Sequence, residues 1–222
     1  MTLKNFFKSI LKMPYYKNYA AASGAVHNIN KHEKAVEDQL LNHGFTEANL
    51  PLPKGKKSAI TKAERNAALE NPKILLGIKN NSYVSQPCGT HDSPDFIVNY
   101  NNKLYFIECK SGNNYKPVFN SGLPKPSYIY IFCSKKLNET TVFMGKDIVN
   151  DEQRRILLEH KKKQQELDRE TNRRLKDSDS LGRGIDYYTR PMYNQSGNKE
   201  KTNYFTHQNR TKSEQRVLKY VS

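Results

Sequence analysis

Cysteine is scarce in this 222-residue sequence: Cys88, Cys109 and Cys133 make an odd count, and no pair has the spacing of a metal knuckle or a redox motif. The thiols are therefore expected to be free and the chain cytoplasmic. A long apolar run is also missing. At the N-terminus Leu3, Phe6, Phe7, Ile10 and Leu11 are interrupted by Lys4, Lys8 and Lys12, the pattern of an amphipathic helix and not of a signal peptide or a membrane span. That helix is expected to pack on the core with a lysine-rich wet face; a membrane-surface role is the competing reading. The six histidines are scattered, which excludes a compact zinc-finger-like nuclease motif, and there are no internal repeats. Acid is short as well. Against 37 Lys and Arg stand 22 Asp and Glu, a formal charge of +15 that points to a polyanion, nucleic acid first, as partner.

What is present is unevenly distributed. Residues 81–150 carry almost no net charge, and the basic excess lies in the flanks on either side. The length suits one core with an elaborate extension. Ile29, Ala35, Val36, Leu40 and Leu41 form a helical stripe that stops at Gly44. A basic Pro/Gly/Lys loop follows at residues 51–57, either a DNA-contacting segment or a solvated connection, and then a short helix from the cap Thr61 to just before Pro72. Between residues 83 and 145 come four or five strands: "YVSQP", "DFIVNY" and "KLYFIECK" joined by a tight turn at Asn101 and Asn102, the apolar "SYIYIFC", and "TTVFMG". From Asp151 about 25 residues of strong helix formers without Pro or Gly predict a helix of roughly 37 Å. Its apolar positions are few, so it either bridges to a partner or lies solvated along one edge. The tail interleaves Arg and Lys with Tyr, Asn and Gln, side chains that touch phosphates and base edges; disorder is the alternative.

The strand pair carries the chemistry. Asp95 follows Pro94 at a strand entrance, and a hairpin centred on Asn101 and Asn102 sets it opposite a position close to Glu108. Glu108 and Lys110 share one face, with Cys109 on the other. Two carboxylates side by side repel unless a cation lies between them, and Mg²⁺, which binds through one or two carboxylates, waters and a substrate phosphate, suits the pair. The Lys110 ammonium can orient a water and offset phosphate charge, and once an environment that lowers its pKa has taken its proton, the amine can deprotonate that water. The plainer reading is a same-face ion pair on an exposed strand, with Asp95 a turn residue.

Pro94-Asp95, twelve residues, then Glu108-Cys109-Lys110, with "FIV" and "LYFI" in the two halves, resembles the PD-(D/E)XK nuclease superfamily. The preceding helix "NKHEKAVEDQLLNHGF" is similar to that family's opening helix, and "QPCGTHDSPDF" with the turn from Asn120 to Pro124 resembles a subset of type II restriction endonucleases. The likeness covers roughly residues 27–150. It implies Asp95 and Glu108 as metal ligands with the Cys109 carbonyl as a third, Lys110 as the water-positioning residue, and Glu33, or Glu37 one turn on, as a further acid. Gln86, Gly89, Thr90 and His91 stand where they approach the scissile phosphate, with Ser111 and Asn120 as weaker candidates.

The resulting expectation is an α/β (α+β) fold: a central mixed β-sheet flanked by helices, a restriction-endonuclease-like core with a long basic C-terminal helix and extension. Residues 1–28 form a basic helix or arm, 29–150 the core, and 151–222 the recognition extension, within one continuous domain. The resemblance implies Mg²⁺-dependent hydrolysis of double-stranded DNA to 5′-phosphate ends by a homodimer, with no membrane partner. Arg183, Arg190, Asn194 and Gln195 are the candidates for base edges. A structure-selective nuclease on the same core and a non-catalytic DNA-binding protein are the alternatives.

Overall fold

A computed structural model describes residues 2–14, 30–52, 55, 58–89, 92–119 and 122–222. Most of the 1–28 arm beyond Pro14, and Thr90, His91 and Asn120 among the candidate residues, lie outside the described residues. The fold is α+β: a six-stranded mixed sheet with helices on its faces. The strands are β1 (Thr46–Glu47), β2 (Ser82–Ser85), β3 (Phe96–Tyr100), β4 (Lys103–Gly112), β5 (Ile129–Ser134) and β6 (Glu139–Met144), and they lie side by side in chain order. β1 with β2 and β4 with β5 are parallel; the other neighbours are antiparallel.

Alternation along β4 explains the layering. Tyr105, Ile107 and Cys109 face one side, with α1 (Leu3–Ile10), α2 (Asn30–Asn42) and α6 (Arg210–Tyr220). Leu104 and Phe106 face the other, which α3 (Lys62–Glu70) and the loops cover. The turn between β3 and β4 is at Asn101 and Asn102, both at φ +53°, the left-handed pair that a two-residue hairpin requires. Leu3, Phe6, Phe7 and Ile10 are buried, so the N-terminal helix is a packed element of the core. Ala35, Val36 and Leu40 of the α2 stripe are buried as expected, but Leu41 is 45% exposed: the stripe turns away from the sheet one residue earlier than the pattern suggested.

α3 starts at Thr61, whose hydroxyl accepts the Glu64 N–H while the Glu64 carboxylate accepts the Thr61 N–H, a reciprocal cap. α4 (Asp151–Asp177) runs for 27 residues, about 40 Å, with no buried residue. The chain then returns along it: the Asn172 side chain exchanges two 2.7 Å hydrogen bonds with the Tyr187 backbone, and Asp168 accepts from the Thr189 N–H and hydroxyl. After the single turn α5 (Lys199–Thr202) comes α6, whose Val217 is fully buried with Val221 just beyond it. The last part of the extension thus belongs to the core packing. Among the described residues, no helix is long and apolar enough to cross a membrane.

Candidate active site

The β3–β4 register sets the site. Phe96 pairs with Ile107, so Asp95, one step before β3, stands opposite Glu108. Here β3 has ended, and the Asp95 side chain takes over the ladder: its Oδ2 accepts the Cys109 backbone N–H at 2.7 Å. Because the N–H and C=O of a strand residue point to the same edge, the Cys109 carbonyl faces this side too. The Cys109 thiol is on the opposite face, in the apolar core. Lys110 Nζ donates to Glu108 Oε1 at 2.8 Å, and both side chains are largely buried.

Glu33, in the first turn of α2, is the third acid. Gln86 ties it in, its Nε2 donating to Glu33 Oε2 at 2.6 Å and to Asp95 Oδ1 at 3.3 Å. Gln86 therefore sits inside the carboxylate cluster. It holds φ +46°, a left-handed conformation fixed by its N–H on the Asp95 carbonyl at 2.8 Å and by the Gly89 N–H on its own carbonyl at 2.9 Å. Glu37 is occupied elsewhere, accepting from the Tyr83 hydroxyl at 3.2 Å and from Lys34 at 2.9 Å, so Glu33 is the residue that joins the cluster.

Electrostatics follow from crowding three acids around one ammonium. Burial, then the charges of Glu108 and Glu33, push the Asp95 carboxyl up to about 8. Burial likewise lifts Glu33 to about 6, against the lowering effect of the Gln86 hydrogen bond. Burial and the neighbouring carboxylates hold the Cys109 thiol well above its usual range, so it is no nucleophile. Two acceptor oxygens in this cluster, Glu108 Oε2 and Gln86 Oε1, are buried without a hydrogen-bond partner.

Carboxylates that repel, and acceptors that lack donors, are what a hard cation compensates. The groups here that could hold one are all oxygens: the Asp95 and Glu108 carboxylates and the Cys109 carbonyl. Among the described residues no three His, Cys, Asp or Glu side chains form a ready-made metal cage.

Arg183 and Arg190 are exposed along the returning segment. Asn194 and Gln195 line an apolar cleft of about 600 Å³ with Phe119, Ile156 and Met192. Gln195 is anchored there, its carbonyl accepting from Lys116 and its Oε1 from the Tyr204 hydroxyl at 2.8 Å. Ser111, next to Lys110, is exposed. Sequence reasoning missed two cations on the Phe106 side of the sheet, Arg65 and Lys125, whose only sequence signal is a basic residue in a short helix and another in a proline-rich turn. Comparison with protein-family models, with curated proteins and with solved structures finds no match.

Proposed function

We propose that this protein is a Mg²⁺-dependent endonuclease that cleaves double-stranded DNA at a specific sequence, on a restriction-endonuclease-like core. The observation that carries the reading is the opposition of Asp95 and Glu108 across a strand pair, with Lys110 ion-paired to Glu108 at 2.8 Å. The order Pro-Asp, then Glu-Cys-Lys, resembles the PD-(D/E)XK nucleases, and the net charge of +15 suits a phosphate backbone.

Asp95, Glu108 and the Cys109 carbonyl would hold the cation, which would supply a water of lowered pKa and positive charge to set against the phosphate. The chain's own residues do the rest. Lys110 orients the attacking water and offsets charge on the scissile phosphate. Gln86 fixes the Glu33 and Asp95 carboxyls relative to each other. Glu33, raised to about 6, exchanges a proton near neutrality. Attack in line forms a new P–O bond and breaks the bond to the 3′ oxygen, which takes a proton and leaves, giving 5′-phosphate and 3′-hydroxyl ends.

α4 and the segment returning along it are the arm that follows DNA or a second subunit. Their exposed Leu167, Leu181, Ile185 and Tyr188 have no cover among the described residues. A homodimer cuts both strands of a symmetric site. The test is a long linear duplex incubated with Mg²⁺: discrete fragments whose ends religate without added phosphate support the reading. A smear, or cutting confined to branched DNA, contradicts sequence-specific cleavage.

A further inference from the structure

A second polar group lies on the Phe106 face of the sheet, near Glu108, and the carboxylate cluster leaves it unused. Arg65, in α3, is 6% exposed. Its Nη1 donates to the Ser93 carbonyl at 2.7 Å, two residues before Asp95, and its Nε and Nη2 donate to Asn66 Oδ1 at 3.2 and 3.0 Å. Every acceptor Arg65 uses is neutral. Lys125 stands in the turn that leads into β5, with Nζ donating to the Tyr128 hydroxyl at 3.1 Å and lying 4.8 Å from that ring's centroid.

The turn is held from several sides, so the ammonium is presented in one place. The Lys125 N–H donates to the Tyr130 hydroxyl at 3.0 Å and the Tyr128 N–H to the Lys125 carbonyl at 3.1 Å. Arg154 donates to the Pro124 carbonyl. Gly145 lies so close that a Cβ there would collide with the Lys125 carbonyl, and Tyr128 stacks on Phe106 with ring centroids 5.5 Å apart.

Arg65, Glu108 and Asp92 all lie within electrostatic reach of Lys125. Each acid already pairs with another lysine: Glu108 Oε1 with Lys110 at 2.8 Å and Asp92 with Lys62 at 3.0 Å. Among the described residues neither Arg65 nor Lys125 makes an ion pair with a carboxylate. Burial, and then Arg65, lowers the Lys125 ammonium to about 8. Two cations within electrostatic reach of each other repel, and an anion seated against Lys125 removes that cost.

We propose that Lys125, backed by Arg65, forms a phosphate subsite that seats a phosphodiester of the DNA strand beside the carboxylate cluster. The identity of the anion rests on the nuclease reading above. Lys125 makes the contact. Arg65 is a positioning residue: it anchors the Ser93 carbonyl that leads into Asp95 and supplies positive field at Lys125.

The experiment measures binding of a short defined duplex, with Ca²⁺ in place of Mg²⁺ to prevent cutting, as a function of salt, for wild type, Lys125→Gln and Lys125→Arg. One phosphate contact fewer lowers the slope of log K against log salt by about 0.9, and the arginine variant restores it. In parallel, the Lys125 side-chain NMR resonance titrates at higher pH in Arg65→Gln, a shift that a merely structural Arg65 would not cause. A wild-type slope in Lys125→Gln overturns the subsite whatever the cutting result, and an unmoved Lys125 titration overturns the role of Arg65. A wild type that binds but does not cut with Mg²⁺ removes the nuclease reading and leaves the subsite to the slope. A wild type that does not bind the duplex overturns both.

Discussion

Asp95 Oδ2 accepts the backbone N–H of Cys109 at 2.7 Å, so a carboxylate at the end of one strand completes the hydrogen-bond ladder of the next. That single bond ties Asp95 to the strand carrying Glu108 and Lys110, and it makes the acid structural and chemical at once. Truncating it costs a ladder bond as well as a carboxylate of the proposed cation site.

The first prediction concerns pH and stability. The Asp95 carboxyl titrates at about 8 in the folded protein against 3.8 ordinarily, so between those values the folded state holds more protons than the unfolded chain. Stability of the metal-free protein is therefore fully present at low pH within that window and falls as pH rises toward 8. Asp95→Asn removes the buried charge and is expected to stabilise the metal-free protein at pH 8 by about 1–4 kcal/mol, with little gain near pH 4, read by urea unfolding.

Divalent cations should reverse that order. Cation binding displaces the proton on Asp95, so Mn²⁺ affinity of the wild type rises with pH from about 6 to 8, and binding at pH 7 releases protons. Calorimetry in two buffers of different ionisation enthalpy gives the proton count; Asp95→Asn is expected to show neither the affinity nor the release.

Gln86 offers a test with a defined sign. Its hydrogen bond at 2.6 Å stabilises the charged form of Glu33. Gln86→Ala therefore raises the Glu33 pKa, and the acid limb of the pH–rate profile moves to higher pH; an unmoved limb means that Glu33 takes no part in the rate.

The N-terminal helix is predicted to act through packing. Phe7 is fully buried among core residues, so Phe7→Ala is expected to cost about 3–5 kcal/mol in denaturant unfolding, while the salt slope of DNA binding stays at the wild-type value.

The hairpin was legible because its signals are local. Asn101 and Asn102 specify a tight turn, the apolar runs mark the strands, and the count from the turn places Asp95 opposite Glu108. The helix start at Thr61 and the uninterrupted α4 were readable for the same reason. β1 was not, since two exposed residues carry no periodic pattern. α6 was hidden because Val217 and Val221 are isolated apolar residues in a polar tail, and only the sheet they pack on reveals a buried stripe. The inward position of Gln86 depends on its left-handed backbone, and the approach of Arg65 to Lys125 depends on two long connections; neither leaves a short-range pattern.

Glu108 and Lys110 are proposed to perform metal-dependent hydrolysis of DNA. The most direct measurement incubates a long defined duplex with wild type, Glu108→Ala and Lys110→Ala, with Mg²⁺ or with a chelator. Discrete fragments from wild type with Mg²⁺ are expected, lost with the chelator and reduced at least about 100-fold in both variants. Cutting that survives the chelator or either substitution, or no cutting by wild type while salt-dependent binding persists, would contradict it and leave Glu108 and Lys110 as an ion pair within the sheet.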